Sequence, residues 1–72
     1  MDNMEKIFAV VVVASEIGGT SILVKIEKAF KSVSSAENFL KKENKSWREV
    51  IQINNNSIDC LCERGIQEVE LL

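Results

Sequence analysis

The chain has 72 residues, 46% hydrophobic and 28% charged, with two Cys, no His, Pro or Tyr, and a net charge of −2. This length holds one domain and one core, and the lack of His removes the commonest acid–base group and a common metal ligand together. Burial of roughly 7,200 Å² of surface contributes on the order of 110 kcal/mol, about what ordering 72 residues costs, so association is the natural source of added stability.

Charge is segregated along the chain. Residues 1–24 sum to −2, residues 25–48 to +4 and residues 49–72 to −4. The middle is basic and the C-terminal third acidic. The longest apolar run, Ile7 to Ala14, is too short to span a bilayer. Asp2 and Glu5 ahead of it oppose a secretory leader, which wants a basic start.

Lys6 to Ala14 is rich in β-branched residues and reads as a first strand. Neither of its faces is polar: Ile7, Ala9, Val11 and Val13 point one way, and Phe8, Val10 and Val12 the other. Such a strand wants cover on both sides. Ser15 to Thr20, with Gly18-Gly19, reads as a hairpin turn. Ser21 to Lys28 is the second strand, with Ile22, Val24 and Ile26 toward the core and Lys25 and Glu27 toward water. Phe30 continues the core parity after an irregular step.

A helix of about ten residues follows. Ser34-Ser-Ala-Glu37 fits a capping box, and Ala36, Phe39 and Leu40 form its apolar stripe. Lys41, Lys42 and Lys45 suit its C-terminal end, where Asn44 is a terminator. Trp47 to Ile53 reads as a third strand from its Ile51-Gln52-Ile53 alternation, with a short helix opened by Ser46-x-x-Glu49 as the rival. Asn54 to Ser57 is a turn, since Asn tolerates left-handed backbone. Ile58 to Arg64 is the fourth strand, Gly65 breaks it, and Ile66 to Leu71 forms a short fifth. The expected fold is α+β: a ββαββ(β) antiparallel sheet with one helix packed on one face.

The chemistry-bearing groups are few. Cys60 and Cys62 would share a strand face with Cα atoms about 6.5–7 Å apart, at or beyond the reach of a disulfide. They read as buried small hydrophobes in a reducing cytoplasm, and two thiols without His fall short of a zinc set. No Gly-rich phosphate loop is present, and the Ser and Cys side chains have no His to activate them. No cofactor is expected. The basic residues Lys28, Lys31, Lys41, Lys42, Lys45 and Arg48 read as a solvated face, with contact to a polyanion as the alternative; the chain is acidic overall, with a pI of about 5.1. Trp47 reads either as packing at the helix–strand junction or as a contact residue.

The arrangement Phe8–Ala14, Gly18-Gly19, Ala29-Phe30-Lys31-Ser32-Val33-Ser34-Ser35-Ala36-Glu37 and Ile66-Gln67-Glu68-Val69-Glu70-Leu71 resembles small proteins of phages and mobile elements. Some anti-CRISPR inhibitors share this ββαββ layout. The resemblance is one of element order over most of the chain, and no residue role carries over from it. It implies a protein that acts in the host cytoplasm by blocking a surface.

One short helix can cover only one sheet face, so the doubly apolar first strand predicts an exposed greasy stripe, which usually marks an interface. The expected function is therefore a non-enzymatic protein-binding module, with Phe8, Val10, Val12 and Trp47 as its contact residues. Its partner is a host protein or a second copy of itself, as a homodimer, with no membrane; weak nucleic-acid binding through the basic middle segment is the alternative.

Overall fold

The computed structural model describes residues 5–71. The elements run β1 (Glu5–Glu16), β2 (Ile22–Phe30), α1 (Val33–Lys42), β3 (Ser46–Ile53) and β4 (Asn56–Leu71). One four-stranded sheet holds the order β2-β1-β4-β3, and every neighbouring pair is antiparallel. The two long central strands, β1 and β4, pair from Glu5↔Leu71 to Glu16↔Cys60. Two hairpins thus meet at their first and last strands, and α1 crosses one face of the sheet. The molecule measures 49 × 26 × 17 Å. Its thin dimension is that of one helix on one sheet, and a ten-residue helix, about 15 Å long, spans only part of the long dimension.

Local chemistry explains the connections. Gly18 takes φ +78° in the β1–β2 turn, where the Glu16 N–H donates to the Ser21 carbonyl at 2.8 Å. Asn54 and Asn55 take φ 51° and 68° in a two-residue loop between the Ile53↔Asn56 pair. Two successive left-handed residues match the twist of a tight hairpin.

Four expectations about these elements are corrected. Ser32, not Ser34, caps α1: its Oγ accepts from the Ser35 N–H at 3.2 Å and donates to the Ser35 Oγ at 2.9 Å. The orphan amides of the first turn are met two residues early, so Glu37 has no capping role. At the other end the helix closes on Glu43, whose N–H donates to the Phe39 carbonyl, rather than on Asn44. Gly65 does not break β4. It sits opposite Val11 in the central ladder, and twelve consecutive pairings with β1 outweigh the weak local preference of one Gly. Consequently there is no separate fifth strand among the described residues. The strand reading of Trp47–Ile53 is correct: Trp47 and Glu49 share a face, and the indole Nε1 donates to the Glu49 carboxylate at 3.1 Å.

The fourth correction matters most. The register of β1 against β2 shifts between Val10 and Val11, so Val10 faces Lys28 while Val11 faces Ile26. Glu27 is the extra residue of a β-bulge, which reverses the alternation of β2. Phe30 therefore lies on the helix side, 5.6 Å centroid to centroid from Phe39. Ile22, Val24 and Ile26 do not face the core; they sit on the opposite, uncovered face. The core lies between α1 and the sheet, with Val10, Val12, Ala14, Cys60, Cys62 and Ala36 buried and Trp47, Ile51 and Ile58 packed against it.

Candidate protein-contact face

The uncovered face is built in rows across the strands. Residues paired in register share a face, so Ile26–Val11–Gly65 form one row, Val24–Val13–Glu63 the next and Ile22–Ser15–Leu61 the third. β3 extends the surface with Arg48 and Val50, opposite Leu61 and Asp59. Exposure reaches 68% at Ile22, 59% at Val24 and 66% at Ile26, and Val13, Leu61 and Val50 are exposed as well. Among the described residues nothing lies over them, because α1 is committed to the other side. The sequence places apolar residues here by plain two-residue alternation: Ile22, Val24 and Ile26 on this face, Leu23 and Lys25 on the other.

The four residues expected to make contact are placed elsewhere. Val10 is fully buried and Val12 is 2% exposed. Phe8 is half-buried on the same helix side, opposite Phe30. Trp47 is half-buried against the core cluster, as the helix–strand junction reading had it. The expectation that Phe8, Val10 and Val12 are the uncovered stripe is therefore corrected. The imbalance that motivated it persists, because covering one face of β1 leaves the Val11 and Val13 face open.

The basic residues do not form one patch. Lys28 lies over the Phe30 and Phe39 rings, at 5.4 and 5.6 Å from their centroids. Lys41 and Lys42 occupy the last turn of α1, and Lys31 and Lys45 stand in the segments on either side of the helix. Arg48 is on the opposite face of the sheet, in a bidentate ion pair with Asp59. That pair raises the guanidinium further and holds the Asp59 carboxyl below its ordinary value.

Charges are sorted between the two faces. Lys25, Lys28, Arg64, Glu68 and Glu70 lie on the helix side of β2 and β4, and Lys6 joins them by bridging to Glu68 at 3.3 Å. Arg64 reaches across β1 to the bulge residue Glu27, with Nη2 at 3.1 Å from Oε2, and donates to the Asn44 carbonyl. This bond to Arg64 holds the Glu27 carboxyl below its ordinary value. On the open side, β1 and β4 present Glu5, Glu63 and the Asp59 already paired with Arg48, and the alternating positions Ile22, Val24 and Ile26 of β2 present no charge.

Burial pushes the Cys60 and Cys62 thiols up, and nearby carboxylates add to the effect. Both are neutral packing groups at pH 7. Among the described residues no cavity opens and no three His, Cys, Asp or Glu side chains gather as a metal site. No helix there is long and apolar enough to cross a membrane. No family model, curated protein or solved structure matches this chain.

Proposed function

We propose that the chain is a protein-binding module that acts by covering a surface, without catalysis, and that the open sheet face is what it presents. One observation carries this reading: exposed Ile22, Val24 and Ile26 stand beside Val13 and Leu61, while most of the charge is turned to the opposite side. A face depleted of charge and rich in large apolar side chains is the composition of an interface core. The finer form of the proposal is a phage-type inhibitor of a host defence complex of the CRISPR–Cas kind. Its support is the ββαββ element order alone.

The test is affinity capture from a bacterial lysate on the immobilised chain, comparing wild type with Val24→Glu and Lys42→Glu. Enrichment of a protein that Val24→Glu abolishes and Lys42→Glu keeps supports the reading. Equal capture by all three, or no enrichment at all from a chain that is also monomeric, overturns it.

A further inference from the structure

We infer that α1 is a detachable cover: it leaves the sheet and melts as one unit while the four strands stay folded, and in doing so it uncovers Phe8, Val10 and Phe30. The helix has little of its own to hold it in place. At ten residues it is too short to persist in water once it is off the sheet. Ala36 is its one fully buried side chain. Phe39 and Leu40 are half-buried, and Val33 is 44% exposed. The contact of Phe39 with Phe30 lies near the surface, beneath Lys28.

The sheet, by contrast, has a core that needs no helix. Val12, Ala14, Cys60 and Cys62, with Trp47, Ile51 and Ile58 packed against them, are all strand residues. The β1–β4 ladder runs unbroken from Glu5↔Leu71 to Glu16↔Cys60, with β2 and β3 on its flanks. The Arg64 brace belongs to the strands as well: Arg64 of β4 stacks on Trp47 of β3 and pairs with Glu27 of β2. To the α1–β3 connection it gives one hydrogen bond, at the Asn44 carbonyl. Departure of α1 therefore breaks no strand pairing and leaves this cluster and brace standing. A segment that buries little and carries none of the ladder opens at a lower free energy than the whole fold. Its opening bares the helix side of β1 around Val10, so the sheet then presents apolar side chains on both faces.

Native-state hydrogen exchange of the intact chain, read amide by amide by NMR, tests this. The α1 amides from Ala36 to Glu43, which donate within the helix and to its cap, should exchange at least ~10-fold faster than those of Val12 to Ala14 and Cys60 to Cys62 after correction for intrinsic rates. Ile51→Ala is the discriminating variant, because it weakens the strand core that the open state retains. It should speed exchange of the central β1 and β4 amides at least ~10-fold and that of the α1 amides less than ~2-fold. Low urea on the wild-type chain gives an independent reading. Exchange of the central strand amides should climb with urea at least about twice as steeply as that of α1, since losing α1 exposes less surface than global unfolding. One common rate and one common urea slope for helix and central strands would overturn the inference, as would an Ile51→Ala variant that accelerates both alike.

Discussion

The guanidinium carbon of Arg64 lies 3.8 Å from the centroid of the Trp47 ring, stacked on the indole. From that position its nitrogens reach the Glu27 carboxylate on β2 and the Asn44 carbonyl beyond the helix. One side chain thus ties β4 to β2 across β1, to the α1–β3 connection and to the start of β3. Its side chain is 11% exposed and that of Glu27 is 32% exposed, so water screens this bridge less than the other ion pairs.

Arg64→Ala should therefore destabilise the chain by about 2 kcal/mol, combining lost charge-assisted hydrogen bonds with a lost cation–π contact. For a domain of this size that corresponds to a fall of roughly 10 °C in Tm, read by thermal circular dichroism. Arg64→Lys should recover less than half of the loss, since an ammonium can neither fork onto a carboxylate nor stack as a plane. A loss below about 0.5 kcal/mol for Arg64→Ala would show the bridge to be a surface ornament.

Acid should reveal the same contact. Glu27 has a lowered pKa in the folded chain, chiefly through the bond to Arg64, and an ordinary value near 4.5 when unfolded. A depressed carboxylate adds stability above its unfolded pKa and loses it as pH falls through the folded value. Stability attributable to Glu27 should be level above about pH 5.5 and decline below about 4.5. Denaturant titrations of wild type and Glu27→Gln across this range should converge at low pH. Parallel curves at a constant offset would refute the linkage.

The helix cap separates two neighbouring serines. Ser32→Ala should cost about 1 kcal/mol and shorten α1, because the Ser35 N–H loses its acceptor. Ser34→Ala should change stability by less than about 0.5 kcal/mol. Helical circular dichroism and urea midpoints on both variants decide this, and equal losses would contradict the observed cap.

Deleting Glu27 should remove the bridge and keep the fold. Ile26 and Lys28 face the consecutive residues Val11 and Val10, so without the bulge residue β2 pairs as a regular ladder and Lys28 and Phe30 keep their faces. The Phe30–Phe39 contact should survive while the Arg64 bridge is lost. Amide NMR spectra should keep the dispersion of a single packed state, with a loss of stability close to that of Glu27→Ala. A collapsed spectrum, or a loss several kcal/mol larger than that of Glu27→Ala, would show that the pairing of β2 depends on the bulge itself.

Much of this fold is legible in residue order. β-branched runs, the Gly18-Gly19 and Asn54-Asn55 turns and the Ala36–Phe39–Leu40 stripe yield ββαββ, because strand, turn and helix preferences act over a few residues. The alternation of Ile22, Val24 and Ile26 is equally plain. Which side of the sheet that alternation faces is not, since a single extra residue inverts everything before it. Ser32 and Ser34 both head plausible caps, and only the path of the chain out of β2 selects between them. Gly65 looks like a breaker until a long partner strand is aligned beside it.

Sequence alone determined that the chain carries more apolar strand surface than one ten-residue helix can hide, since that follows from counting side chains on two faces of β1. The tertiary structure alone decided which face goes uncovered. A bulge at Glu27, a helix laid over Val10 and Val12, and Arg64 reaching across β1 are set by contacts between residues distant along the chain, such as Arg64 and Glu27. Local propensities are blind to such contacts, and so the greasy side of the molecule is Ile22, Val24 and Ile26 rather than Phe8, Val10 and Val12.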